Sequence, residues 1–491
     1  MTEVILVQPK VGDWDMVRSH PSLPLSLLTA ASLVSREFSI VLIDMRTMND
    51  WKNRLKAELD KNPLCVGTTS LTGRQIKYAL EISRFVKENS NIPVVWGGVH
   101  VSLFPESSVN NEYIDFIIQG DGEIAFLQLV RRLKEGGGNF ENINGLWSKH
   151  IATCTNNKKR ELCDLDKLPT VPYDLVDLKY YLPSFMGRRT LYLETARGCS
   201  NDCAFCYNSV YHLRKWRSRS AEKVIRDITD IVHNRKINSF YIIDDNFFVD
   251  LKRARKIAES IVDQKLEIYW ESQGITISSA LKMDREYIRL LEKSGLKKVH
   301  FGVESGSDRI LKLVNKRISI DEVLQVNRKF KEFDIILQYN FMSGFPSETV
   351  NDIKSTVNLV FELMRENKRA IISPICPFTP YPGTKMYDDA IKTGLRAREK
   401  LEDWIESDYG DTIWTSKEKA RLSKSLFFSS MFLDRHRQKS MVQNNFLKLA
   451  INLYRPIAKF RIKNLYFDFM PEILLKEKIF YRNGRNPGTL K

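Results

Sequence analysis

Along the first 135 residues, short apolar runs alternate with stretches whose apolar positions recur at helical spacing. The runs at 3–7, 39–43, 64–68, 94–97 and 116–119 predict buried strands of a parallel sheet. The stretches at 25–35, 51–59, 76–86 and 124–133 predict helices between most of them. Five strands with intervening helices make a doubly wound, Rossmann-like α/β domain over residues 1–136. In such a domain a ligand sits at the carboxyl ends of the strands, near the switch point. Gly136-Gly137-Gly138 ends the unit, and the polar, Pro- and Tyr-rich stretch 137–188 reads as a linker with one small hairpin.

A second α/β run follows. Strands are predicted at 191–195, 239–243, 267–273, 298–302, 336–341 and 370–374, with helices at 221–234, 251–264, 285–293 and 353–365 among them. Six βα units over 189–410 predict an open or partial barrel, whose active site would lie at the carboxyl ends of its strands. Residues 411–491 read as helical, basic and aromatic.

Composition supports this division. A chain of 491 residues holds two to three domains at about 150 residues each. With 43% hydrophobic and 28% charged residues it is globular rather than disordered. No run approaches the roughly 20 apolar residues that span a bilayer. The amino terminus carries Glu3 where a signal peptide would be basic, so a cytoplasmic protein is expected. The net charge of +16 is uneven. Residues 417–491 hold 17 Lys and Arg against 5 Asp and Glu, a net +12, and residues 1–416 hold only +4. Any attraction to anionic partners belongs to this tail.

Seven cysteines in so long a chain are no disulfide scaffold. Cys199, Cys203 and Cys206 are clustered directly after the first strand of the second unit, and three thiolates on one loop suit iron–sulfur ligation. Three ligands to a four-iron cubane leave one iron open, as a reactive site requires. Zinc is the alternative, although it needs a fourth ligand and usually comes as two CxxC pairs.

The segment Cys199-Ser200-Asn201-Asp202-Cys203-Ala204-Phe205-Cys206, with its aromatic Phe205, resembles the cluster motif of the radical S-adenosylmethionine (SAM) enzymes. The resemblance covers about 190–409. It implies a 4Fe–4S cluster on Cys199, Cys203 and Cys206, with SAM contacted by Phe205, by Asp244 and Asp245 after the second strand, and by Glu304 and Ser305 after the fourth. Asp244 or Asp245 would equally serve as a helix cap. The turns 341–346 and 379–384 match those after strands five and six. His212, His233 and His300 read as structural.

A doubly wound domain ahead of such a barrel resembles the cobalamin-binding subfamily. That resemblance implies cobalamin on Thr69, Ser70 and Leu71 after the third strand, on Gly97, Gly98 and His100 after the fourth, and on Gly120 after the fifth. Small residues there let a flat macrocycle approach the backbone. One departure stands out: where cobalt-ligating relatives carry Asp-x-His-x-x-Gly, this chain reads Asp44-Met45-Arg46-Thr47-Met48-Asn49. Cobalamin is expected to bind without a His ligand from this loop, and its lower axial ligand is left open.

The resemblance implies a cobalamin-dependent methyltransferase that acts on an unactivated carbon through a 5′-deoxyadenosyl radical and methylcobalamin. Its catalytic residues are unassigned. The alternatives are an oxidative cyclase or rearrangement enzyme with the same cofactors and, on the tail alone, a cofactor-sensing or RNA-binding protein. Expected partners are a small-molecule or lipid substrate and a flavodoxin- or ferredoxin-like electron donor. The aromatic, basic tail reads either as a cap packed on the barrel or as a contact with an anionic membrane at its inner face. Nucleic acid is a lesser reading, because no recognised motif for it accompanies the tail.

Overall fold

The computed structural model describes residues 2–12, 15, 20–138, 140–149, 162–405, 416–433, 445–468 and 470. Cys154 and the basic run 158–160 lie outside them.

The amino-terminal sheet is built from β1 (Val4–Gln8), β2 (Ile40–Asp44), β3 (Cys65–Thr69), β4 (Val94–Gly97), β5 (Phe116–Ile118) and β6 (Leu146–Ser148). Its order is 2-1-3-4-5-6, parallel except for the antiparallel edge strand β6. β1 and β3 are buried along their whole length, which explains their continuous apolar sequence. The covering helices are α1 (Leu25–Val34), α2 (Trp51–Leu59), α3 (Gln75–Asn89) and α4 (Glu123–Lys134). The chain reverses direction across the sheet beside β1 and β3, the place where a crevice opens at the strand ends.

The second sheet runs β7 (Ser184–Phe185), β8 (Arg188–Leu193), β11 (Ser239–Ile242), β12 (Tyr269–Ile275), β13 (Leu296–Glu304), β14 (Ile336–Ser343) and β15 (Ala370–Ile372). From β8 to β15 neighbours pair in parallel and in chain order, so this is a six-stranded partial barrel with β7 antiparallel at one edge. A small antiparallel pair, β9 (Ala196–Arg197) and β10 (Arg217–Ser218), leaves the end of β8 and carries the cysteine loop between its strands. The outer helices are α5 (Ala221–Arg235), α6 (Leu251–Asp263), α7 (Arg285–Lys293), α8 (Ile320–Lys329) and α9 (Val350–Glu366). The predicted helix 285–293 coincides with α7, whereas the predicted strands 191–195 and 267–273 are shifted by about one turn of pleat relative to β8 and β12.

After β15 the chain forms α10 (Lys385–Lys392), α11 (Lys417–Ser430) and α12 (Asn445–Asn464). Leu426 of α11, Ile462 of α12, Phe467 and Met470 enter the barrel core. The tail aromatics are therefore divided. Phe467 packs inward, but Phe460 and Tyr466 face solvent. The segment between α10 and α11 turns back: Leu401 and Trp404 join the core of the amino-terminal domain, where Trp404 packs edge-on against His100 and Phe104.

Candidate active site at the domain junction

The cysteine loop begins at Gly198, whose φ is +83° and whose Cβ, if present, would lie 2.2 Å from the Lys215 carbonyl oxygen. Only glycine fits there. Three other segments hold the loop. Ala204 N–H donates to the Val314 carbonyl (2.9 Å), Asn315 Nδ2 donates to the Asp202 carbonyl (2.7 Å), and Met386 N–H donates to the Ala204 carbonyl (3.1 Å). The phenyl ring of Phe205 packs against Phe345, 6.3 Å between centroids, in an apolar nest that includes Phe378 and Met386. Cys203 is buried and Cys199 and Cys206 are half-buried, all with free thiols. Burial pushes the Cys203 thiol up and the Cys206 thiol to about 12, while the Lys316 ammonium nearby opposes the rise in both. Among the described residues, no three His, Cys, Asp or Glu side chains converge on a single metal ion.

The predicted SAM contacts fall into two groups. Asp245 faces open space and accepts from Gly198 N–H at 2.9 Å, tying the end of β11 to the start of the cysteine loop. Glu304 ends β13 at a bulge, with φ of +74°, and pairs with half-buried Lys316 at 2.8 Å. A Cβ at Gly302 would stand 2.4 Å from Glu304 Oε1, so that glycine makes room for the pair. The other two turn inward. Asp244 is buried, accepts from Thr195 N–H (2.6 Å) and Thr195 Oγ1 (2.5 Å), and burial pushes its carboxyl up to about 7. Ser305 is fully buried, with its hydroxyl 3.2 Å from Thr356 Oγ1. Neither aspartate caps the next helix. Asp250 does, accepting from the N–H groups of Lys252 and Arg253.

Between the two domains lies a cleft of about 240 Å³, partly open to solvent. The amino-terminal domain contributes strand ends to its wall: Thr68, Thr69, Gly97, Gly98 and Gly120, together with Ser26 and Ala30 of α1. The barrel contributes Glu194, Arg197, Tyr207, Tyr211, His212 and Asp245. Buried charges cross the junction. Arg197 pairs with Glu123 (2.5 Å) and Asp121 (3.3 Å), Arg217 with Asp121, and Tyr211 Oη donates to the Gly120 carbonyl at 3.2 Å.

Two family models match the chain: the B12 binding domain over residues 19–130 and the radical SAM superfamily over residues 193–360. A protein of Pyrococcus horikoshii, the uncharacterized methyltransferase PH0819, is 30% identical over 377 residues, covering 76% of this chain and 79% of its own length. The chain belongs to the radical SAM enzymes that carry a B12-binding domain. The anaerobic magnesium-protoporphyrin IX monomethyl ester cyclase of Rubrivivax gelatinosus is also similar, at 23% identity over 71% of this chain and 62% of that protein. Two solved structures share the fold. The cobalamin-dependent SAM radical enzyme OxsB superposes with a TM-score of 0.74 at 19% identity, covering 100% of this chain and 76% of that one. The radical SAM methyltransferase TsrM of Kitasatospora setae superposes at 0.65 and 18%, covering 81% and 80%.

The residues at the junction fit the groups that a radical SAM enzyme with a B12-binding domain uses. Free thiols spread along one anchored loop suit a cluster in which each binds a different iron. At Gly97 an added Cβ would meet nothing nearer than 4.0 Å and would project into the cleft, so glycine there leaves room for a flat ligand. Gly98, with φ of +99°, serves packing instead: its Cβ would lie 2.6 Å from Thr69 Oγ1 and 2.7 Å from Ser70 N. Ser70, Leu71 and His100 do not line the cleft. Ser70 is buried and bonds the Gly97 carbonyl (3.3 Å), Leu71 is exposed, and His100 is buried with Nδ1 3.0 Å from Thr72 Oγ1. Arg46 stands where cobalt-ligating relatives have histidine. It is locked to Asp44 (2.9 and 2.7 Å), which also accepts from Tyr181 Oη at 2.8 Å, and it is not among the residues lining the cleft.

Sequence reading missed Arg197, Glu194, Tyr207 and Tyr211. The usable signal for Arg197 was its place two residues before Cys199, on a chain that supplies Asp121 and Glu123 at the end of the fifth strand. His212, read as structural, lines the cleft between Arg217 Nη2 (3.1 Å) and Asp245 (3.8 Å), and burial pushes its imidazole down to about 4. His300 lies beside Glu271 at 3.6 Å.

Proposed function

We propose that this enzyme transfers a methyl group to an unactivated carbon of a small-molecule or lipid substrate at the junction of the two domains. The observation that carries this reading is the shared cleft, in which strand ends of the B12-binding domain face the segment that bears the cysteine loop. The methyltransferase name of the 30%-identical relative supports it.

When bound, the corrinoid supplies a transferable methyl group, and the cluster with SAM supplies hydrogen abstraction. The chain's own part is to bind, orient and exclude water. Cys199, Cys203 and Cys206 hold the cluster. Phe205, packed against Phe345, fixes the loop between the second and third of them. Asp245 and Glu304 are positioned to accept from SAM donors. Asp244, turned onto Thr195, fixes the strand end from which Asp245 projects. Ser305 acts likewise beneath Glu304. Thr69, Gly97, Gly98 and Gly120 form the floor for the corrinoid, with Ser70 packed against Gly98, whereas Leu71 and His100 lie outside the cleft. Arg46, held by Asp44, offers cobalt no imidazole. A flavodoxin- or ferredoxin-like protein is the expected electron donor, and the cytoplasm the expected compartment.

The test is mass analysis after anaerobic incubation of the reconstituted enzyme with methyl-deuterated SAM and extract of cells lacking it. A product heavier by one labelled methyl group supports the reading. A product lighter by hydrogens, with no label, supports the second reading, an oxidative ring closure, which the similarity to the protoporphyrin ester cyclase favours. Absence of 5′-deoxyadenosine would overturn both.

A further inference from the structure

We propose that α12 docks this protein on an anionic lipid surface. The helix buries one face, with Ala458 and Ile462 fully covered and Tyr454 against Phe432 of the α11 end at 4.6 Å between centroids. A surface helix ordinarily turns polar residues to the other side. Here the other side carries Leu449, Leu453, Ile457 and Phe460, exposed by 56, 68, 49 and 60%. Their spacing of four, four and three residues places them in one stripe along the helix. Among the described residues, exposed apolar side chains such as Leu71, Met186 and Leu313 lie far apart in sequence, and single ones are normal.

Charge decides what covers the stripe. Residues 445–464 hold Lys448, Arg455, Lys459, Arg461 and Lys463, and no Asp or Glu. Lys463 is exposed and Lys459 half-exposed, beside the stripe. The helix lies in the 75-residue tail that carries net +12 of the chain's +16. A second copy of the chain would cover the apolar stripe but would bring like charges together. RNA would match the charge but leave the aliphatic side chains in water. An anionic bilayer surface answers both, taking the stripe at the acyl boundary and the lysines among its headgroups. Among the described residues no helix is long and apolar enough to cross a membrane, so α12 lies along the surface rather than through it. This reading is independent of the reaction assigned above.

The full-length reconstituted protein is sedimented with vesicles of phosphatidylcholine alone and with vesicles containing phosphatidylglycerol. Binding is expected to the anionic vesicles only, weakened severalfold on going to about 0.5 M salt. Leu453→Asp with Ile457→Asp is expected to lower it by at least about tenfold while the melting curve stays unchanged. Leu453→Trp supplies an independent readout: its emission should shift to the blue on adding anionic vesicles. Failure to bind, equal binding to neutral vesicles, binding indifferent to the paired aspartates, or no emission shift would each overturn the proposal. Dissociation of a wild-type dimer by the paired aspartates without vesicle binding would assign the stripe to a second copy instead.

Discussion

The Arg197 guanidinium, two residues before the first cluster cysteine, donates to the Glu123 carboxylate of the opposite domain at 2.5 Å, with both side chains buried. The same guanidinium reaches Asp121 at 3.3 Å and Glu194 at 2.7 Å. One cation thus serves three carboxylates, and its removal leaves buried charge uncompensated. Arg197→Ala should cost about 3–5 kcal/mol, read from urea denaturation of the apo chain. A loss below about 1 kcal/mol would contradict the role given to this pair.

Cys203→Ala removes the most buried of the three thiols. Reconstituted protein should lose its iron and its broad visible absorption, and form no detectable 5′-deoxyadenosine. Its far-ultraviolet circular dichroism should match wild type, because the loop is also held by Ala204, Asn315 and Met386. Retained iron at wild-type levels would sink the ligand assignment.

Gly98→Ala places a methyl group against Thr69 Oγ1 and the Ser70 backbone at a φ of +99°. The variant should lose more than about 1 kcal/mol of stability and retain little cobalamin. Gly97→Ala meets no such clash, so it should keep its stability and lose only corrinoid. Wild-type cobalamin content in the second variant would remove Gly97 from the binding surface.

Much of the architecture was legible in the sequence, since parallel strands buried on both faces leave unbroken apolar runs such as Val4–Gln8. The cysteine loop was legible because its ligands are local in sequence. Contacts across the domain junction were not, because Arg197 and Glu123 are 74 residues apart and neither has a local pattern. Direction of a side chain at a strand end was also illegible. Asp244 and Asp245 are neighbours, yet period-two alternation turns one onto Thr195 and the other toward the cleft. His100 reads as a site residue beside two glycines, but Trp404, some three hundred positions later, closes over it.

Glu348 offers a pH signature. It is buried after β14 and accepts from the Gly344 N–H, and burial pushes its carboxyl from 4.5 to about 7. Between these values the folded chain holds a proton that the unfolded chain releases. This group therefore makes the protein less stable as pH rises from about 4.5 to about 7, by up to about 3 kcal/mol. Glu348→Gln should flatten that part of the stability profile in denaturation curves taken from pH 5 to 8. An unchanged slope would mean that the carboxyl titrates in its usual range.

The return of Leu401 and Trp404 to the amino-terminal core has a consequence for biosynthesis. The domain made first on the ribosome lacks part of its own interior until residue 404 has emerged. Over most of translation its β4 side exposes the apolar surface that Trp404 later covers, a sticky state of the kind that nascent-chain chaperones attend. Neither half of this enzyme should therefore be obtained in native form by cutting between them, and the two halves are expected to mature together.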